Sequence, residues 1–251
     1  MFPIRDENPT VRAPIATISI IGLNIIVWLF IEGGGSIMPL ISSFCSYSLI
    51  PGDLLGIVPA GTTIPLIENV GCVLDGKGSV LTLITHAFLH GSWIHIIINL
   101  WFLWIFGDNV EDAMGPVRFI GFYLMCIVAA AAAQILSDPA AITPMVGASG
   151  AIGGVMGAYA RLYPKAYVHI LIPIGFFITT AAVPAVYMLG YWFFIQLISS
   201  MLAAEGPGGV AFLAHAGGFL AGLALIGPMH RPDYLAERLR LDPEKSAKYR
   251  L

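Results

Sequence analysis

The chain alternates between long apolar runs and short polar punctuation. Nothing ionised lies between Arg12 and Glu32, Lys77 and Asp108, Arg118 and Asp138, Asp138 and Arg161, Lys165 and Glu205, or Glu205 and Arg231. Each gap holds an apolar run of the order of the roughly 20 residues that a helix needs to cross a bilayer. The pattern predicts six spans, at about Ala13–Ile31, Leu83–Phe106, Val117–Leu136, Ser149–Tyr163, Pro184–Ala203 and Val210–Met229. The first is too long for the apolar core of a cleavable leader and has no convincing cleavage site, so it reads as an inserted helix. Between spans one and two, Gly33–Ser79 is rich in Gly, Pro and Ser but too apolar for a solvated loop, and is expected to lie in the membrane interface.

Composition agrees with this reading. The chain is 57% hydrophobic and 11% charged, with a mean hydropathy of +0.84, where soluble domains carry about a quarter charged residues. The net charge of -3 favours no partner class, and nothing suggests nucleic acid. Of three cysteines, Cys126 lies within a span, and Cys45 and Cys72 can pair if their loop faces an oxidising compartment.

One apolar stretch, Tyr167–Ala182, carries Pro173 and Gly175 and competes for a seventh span. Positive charge argues against it. With six spans and a cytoplasmic N-terminus, 11 of the 12 basic residues face inward and only Lys77 faces outward. A seventh span would expose the C-terminal basic cluster and put His215 at the opposite face from Ser149. Residues 167–182 are therefore assigned to the cytoplasmic interface. The expected organisation is a cytoplasmic segment 1–12, a membrane domain 13–229, and a cytoplasmic tail 230–251 that is amphipathic or disordered.

With this topology, polar groups from three spans share one depth in the outer half. These are His95 and Asn99 of span two, Ser149 of span four and His215 of span six. A membrane-buried imidazole is a functional candidate by default, whereas a serine in a span is commonly a packing residue. His95 and Asn99 share a helix face. His86 and His90 read as structural, and His169 and His230 as interfacial. Glycines bear on whether the groups meet. Span four carries Gly150, Gly153, Gly154 and Gly157, and span six carries Gly217, Gly218 and Gly222. Small residues at such spacing let helix backbones approach closely, which would bring the Ser149 hydroxyl to His215.

The run His90-Gly91-Ser92-Trp93-Ile94-His95 with Asn99 and Gly107-Asp108-Asn109-Val110-Glu111-Asp112, then Gly147-Ala148-Ser149-Gly150, then Ala214-His215-Ala216-Gly217-Gly218 with Gly222, resembles the motifs of rhomboid intramembrane serine proteases. The resemblance covers about 80–228. It implies an all-α, six-helix membrane bundle and a serine-type endopeptidase that cleaves transmembrane segments of other proteins in the bilayer. It further implies Ser149 as nucleophile and His215 as general base, without an acidic third member and without metal or cofactor. His95, Asn99 and the Ser149 backbone N–H would form the oxyanion hole. The sequence departs from the family in two places. Leu81-Thr82 stands where many members have Trp-Arg, and Gly153 stands one turn after the serine, where many have an aromatic residue packed on the base. Tight packing against Gly153 is expected to hold His215 instead.

Water would reach the site from the outer face under the 204–213 loop, whose Glu205-Gly206-Pro207-Gly208-Gly209 suits a cap. A substrate helix would enter beside span five and unwind locally. A bacterial inner membrane is the expected location. The alternative is a non-catalytic relative that binds membrane clients, although such proteins usually lose the serine or the histidine. A channel or transporter would call for inverted repeats, which are absent, and a zinc protease would call for HExxH, which is also absent.

Overall fold

The computed structural model describes residues 2–67, 70–175, 177–202 and 211–241. Short strand β1 (Phe2–Asp6) leads into helix α1 (Ile15–Ile26), which continues as a π-helical turn over Val27–Ile31. The segment expected at the interface is folded: α2 (Ile37–Tyr47), the single turn α3 (Pro51–Leu54) and the hairpin β2 (Thr63–Ile67) with β3 (Val70–Val73). The Cys45–Cys72 disulfide ties α2 to this hairpin. After the turn α4 (Thr82–Thr85) come α5 (Trp93–Met114), α6 (Pro116–Ser137) and α7 (Ser149–Leu162). Strands β4 (Tyr167–Ile174) and β5 (Phe177–Pro184) precede α8 (Ala185–Leu202), α9 (Phe212–Met229) and α10 (Pro232–Leu241).

By length and composition, α5, α6, α8 and α9 can each cross a membrane. Of the other two expected spans, Ile15–Ile31 is apolar but shorter, and α7 has 14 residues.

Two expectations need correction. The chain is not all-α: Tyr167–Pro184 is an antiparallel hairpin whose first strand also pairs with β1, in the order β1-β4-β5. This run is rich in β-branched residues and is broken by Gly175 at a φ of +59°, a backbone state that favours a glycine turn. The second span is displaced. Helix α5 starts only after Ser92, whose side chain accepts from the His95 N–H, and it runs eight residues past Phe106. The polar stretch stays helical because its acids have partners. Glu111 accepts from the N–H groups of Ala16 (2.9 Å) and Thr17 (2.7 Å), satisfying the free donors that open α1. Asp112 accepts from the Arg12 N–H at 3.0 Å. Of the tail, Pro232–Leu241 forms helix α10. Arg238 of α10 is buried, donates to Asn109 at 3.0 Å and covers the Tyr163 ring.

The main core is built on Phe106, Phe119, Phe122, Tyr123, Val155 and Tyr159. Helix α7 runs through it with every residue from Gly150 to Ala160 buried, sheathed by α5, α6, α8 and α9. Apolar side chains exposed on α1, α5, α6 and α8, such as Ile26, Ile94, Val128 and Phe194, make an apolar outer surface suited to lipid.

Candidate active site

The N-terminal ends of α5, α7 and α9 meet around a cavity of about 550 Å³ lined by His95, Asn99, Ser149, Trp192, Gln196 and His215, among others. The approach is fixed by glycine. At Gly218, a β-carbon would collide with the carbonyl oxygen of Gly150, and at Gly222 with that of Gly154. At Gly150 it would stand 2.5 Å from the Ala130 methyl group of α6. Helices α7 and α9 therefore cross backbone to backbone.

That crossing places Ser149 Oγ 2.7 Å from His215 Nε2. The other ring nitrogen, Nδ1, lies 2.8 Å from Gln196 Oε1 on α8. The Trp192 ring lies beside the imidazole, with centroids 5.9 Å apart, and Phe212 meets it edge-on. Gly153 packs tightly against His215, on its backbone and not on its ring. A β-carbon there would stand 2.9 Å from the His215 backbone carbonyl, so this glycine admits the backbone of α9 while α8 holds the imidazole.

His95 faces the same space. Its Nδ1 accepts from the Gly91 N–H at 3.3 Å, which leaves the proton on Nε2 as a donor. A β-carbon on Gly147 would lie 2.8 Å from that Nε2 and 3.6 Å from Ser149 Oγ. Gly147 itself has a φ of +121°, a conformation open to glycine, and its N–H donates to the His86 carbonyl at 2.9 Å. Asn99 is buried beneath His95 and donates one N–H to the His95 carbonyl at 3.1 Å. Its amide has a second N–H. Ser149 opens α7, so its own backbone N–H is free of the helix ladder and sits at the positive end of the helix dipole.

The loop leading to the serine is anchored from outside the bundle. Met145 and Leu49 exchange backbone hydrogen bonds at 2.8 and 3.1 Å, and the Gly52 N–H donates to the Ala141 carbonyl at 2.9 Å. Glu32, buried just past the first helix, accepts from the His90 N–H at 2.8 Å and sets the turn into α5. Burial pushes its carboxyl up to about 7, against the lowering effect of that bond. Asp138 lies in the loop after α6, where it accepts from the Ala140 N–H. The 204–213 loop falls mostly on residues 203–210, outside those described.

Sequence reasoning missed Gln196, Trp192 and Glu32. Gln196 left a signal: it is the one amide side chain in an apolar run from Tyr167 to Ala203. Glu32 did not, because its partner lies 58 residues away. Among the described residues, no group of three or more His, Cys, Asp or Glu side chains is placed to hold a metal ion.

Chemically, the arrangement offers a hydroxyl bonded to an imidazole, with N–H donors around the same point. The family model for the Rhomboid domain matches residues 77–232. The chain is 31% identical over 152 residues to rhomboid protease GluP of Bacillus subtilis, covering 61% of this chain and 27% of that protein. It is 24% identical over 201 residues to rhomboid-like protease 3 of Toxoplasma gondii, covering 80% and 67%. To the mitochondrial rhomboid protein 1 of Saccharomyces cerevisiae it is 29% identical over 102 residues, covering 39% and 30%. The chain thus spans about a third or less of the length of the yeast and Bacillus relatives.

Proposed function

The chain belongs to the rhomboid family, and from that premise and the geometry above we propose that it is an intramembrane serine protease acting through Ser149 and His215. The observation that carries this reading is the 2.7 Å contact between Ser149 Oγ and His215 Nε2. As a peptide carbonyl is attacked, the Ser149 proton passes to His215 Nε2 and the oxygen gains negative charge. The His95 Nε2–H, the second Asn99 N–H and the Ser149 backbone N–H stabilise that charge. His215 then gives its proton to the leaving amine, and water, activated by the same imidazole, hydrolyses the acyl-enzyme. Each donor to a developing oxyanion in a dry site is worth about 10²- to 10³-fold in rate.

The substrates in this reading are membrane proteins whose helices unwind beside α8. Six spans complete the bundle, with α1 and α7 added to the four long helices, between a segment 1–12 and a tail 230–251. Arg12, Arg161, Arg231 and Arg238 lie at the end of the bundle away from the cavity, which supports a cytoplasmic location for both termini. The Cys45–Cys72 disulfide supports an outer, oxidising location for the mouth; the membrane in this reading is a bacterial inner membrane.

The test is cleavage of a model transmembrane substrate in proteoliposomes. Wild type is expected to cut it and Ser149→Ala to leave it intact. A protein that captures the substrate but never cuts it would be the client-binding relative instead.

A further inference from the structure

Helix α8 is built to face outward. Its buried residues are Ala185, Met188, Leu189 and Gln196. Past Leu189 the helix therefore buries one side chain, and that side chain is an amide. A buried amide in an apolar helix is costly unless it is bonded, and the partner of Gln196 is His215 Nδ1, at 2.8 Å.

Because both ring nitrogens of His215 are engaged, the bond decides its tautomer. An amide oxygen only accepts. Nδ1 must then carry the proton and donate it to Gln196 Oε1, which leaves Nε2 bare to accept from Ser149. This is the one neutral form of the imidazole that can take the serine's proton. The alternative tautomer would set Nε2–H against the hydroxyl and leave an unprotonated Nδ1 facing a carbonyl oxygen.

We infer that Gln196 is the positioning residue of the site, fixing the tautomer and ring plane of His215 from α8. This rests on the protease reading above. The position corresponds in role to the carboxylate that orients the histidine in soluble serine hydrolases. An amide supplies the acceptor without a charge, which suits a helix otherwise facing lipid. Trp192, one turn earlier on the same helix, fixes the face of the ring while Gln196 fixes its edge. Among the described residues, the other titratable groups lining the cavity are His86 and His95, so no acid competes for the role.

Two variants test this, read by the rate at which a fluorophosphonate labels Ser149 and by kcat and KM for a cleaved substrate. Gln196→Met keeps the length and removes the acceptor. Labelling and kcat should fall at least about 10- to 100-fold, the effect of losing an outer partner of a metal-bound histidine, and towards the roughly 10⁴-fold seen when a triad loses its orienting carboxylate, with KM little changed. Gln196→Glu keeps an acceptor and adds a charge that favours the imidazolium. It should retain activity at high pH, with the acidic limb of its pH–rate profile moved up by about one to three units. A purely structural glutamine would not move that limb. Wild-type labelling rates in folded Gln196→Met, or a Gln196→Glu profile superimposable on wild type, would overturn the inference and leave the protease reading standing. Absence of labelling at Ser149 in the wild-type protein would instead refute the protease reading itself.

Discussion

Gly218 rests directly on the carbonyl oxygen of Gly150, with no room between them for a β-carbon. The distance from Ser149 to His215 is set by this contact one residue after the serine, repeated a turn later by Gly222 on Gly154. Gly218→Leu or Gly222→Leu should therefore push α9 off α7. About 1 Å of misplacement can cost 100-fold in rate, and overpacking costs typically 1–3 kcal/mol, here at about the upper end or beyond. Labelling of Ser149 should be lost and the unfolding midpoint lowered, without any polar group being touched. Gly22→Leu is the control, since a β-carbon there meets nothing within 4 Å. Normal labelling in Gly218→Leu would show that the site does not depend on this crossing.

In the proposed reaction the His95 and Asn99 donors stabilise the oxyanion. His95→Ala and Asn99→Ala should each lower kcat about 10²- to 10³-fold and leave KM nearly unchanged, because the donors act on the transition state. A rise in KM at constant kcat for both would assign them to substrate positioning. Asn99→Ala should also cost some stability, since it removes the buried side-chain bond to the His95 carbonyl.

Away from the cavity, Asp6 of β1 accepts from the Tyr159 hydroxyl at 2.6 Å and from the Asn109 amide at 3.0 Å. Burial raises its carboxyl from 3.8 to about 6, against the lowering effects of Tyr159 and Arg238. Between those values the folded protein holds a proton that the unfolded chain has released. Stability should thus fall as pH rises through this window, and the loss is complete above about 6. Asp6→Asn, neutral throughout, should show a smaller fall in melting temperature between pH 4 and pH 7. An equal fall would mean that Asp6 is ionised in the folded state across the range.

Topology can be read by cysteine accessibility in intact membranes. Reporters at Lys77, Asp138 and Glu205 should be labelled from outside, and those at Asp108, Lys165 and the tail only from inside. A reporter at Asp108 also needs permeabilisation or mild denaturation, because its neighbours Asn109, Glu111 and Asp112 are buried. An external C-terminus would contradict the six-span arrangement.

Where the chain is uniformly apolar, the sequence was a good guide: α6, α7, α8 and α9 begin and end within two residues of the expected segments. It misled where partners are remote. His86–Gly91 reads as continuous with α5, yet the Ser92 cap starts the helix later, and nothing local reveals that Glu111 and Asp112 are satisfied by residues 11–17. The interfacial assignment of residues 167–182 foresaw no strands, because the strand that completes their sheet, β1, lies at the other end of the chain. Pairing of Cys45 with Cys72 depended on how the chain folds back across a sequence separation of 27 residues. The proximity of Ser149 to His215 was legible through the glycine spacing. The hold of α8 on the ring was not, because an amide's partner cannot be read from its own helix.

In the proposed mechanism Ser149 is a nucleophile activated by His215. Its most direct measurement is covalent labelling of the detergent-purified protein with a fluorophosphonate, mapped by peptide mass spectrometry. One adduct is expected, on Ser149, absent in Ser149→Ala and strongly reduced in folded His215→Ala. An unlabelled Ser149, or labelling that survives Ser149→Ala or is undiminished in His215→Ala, would contradict it.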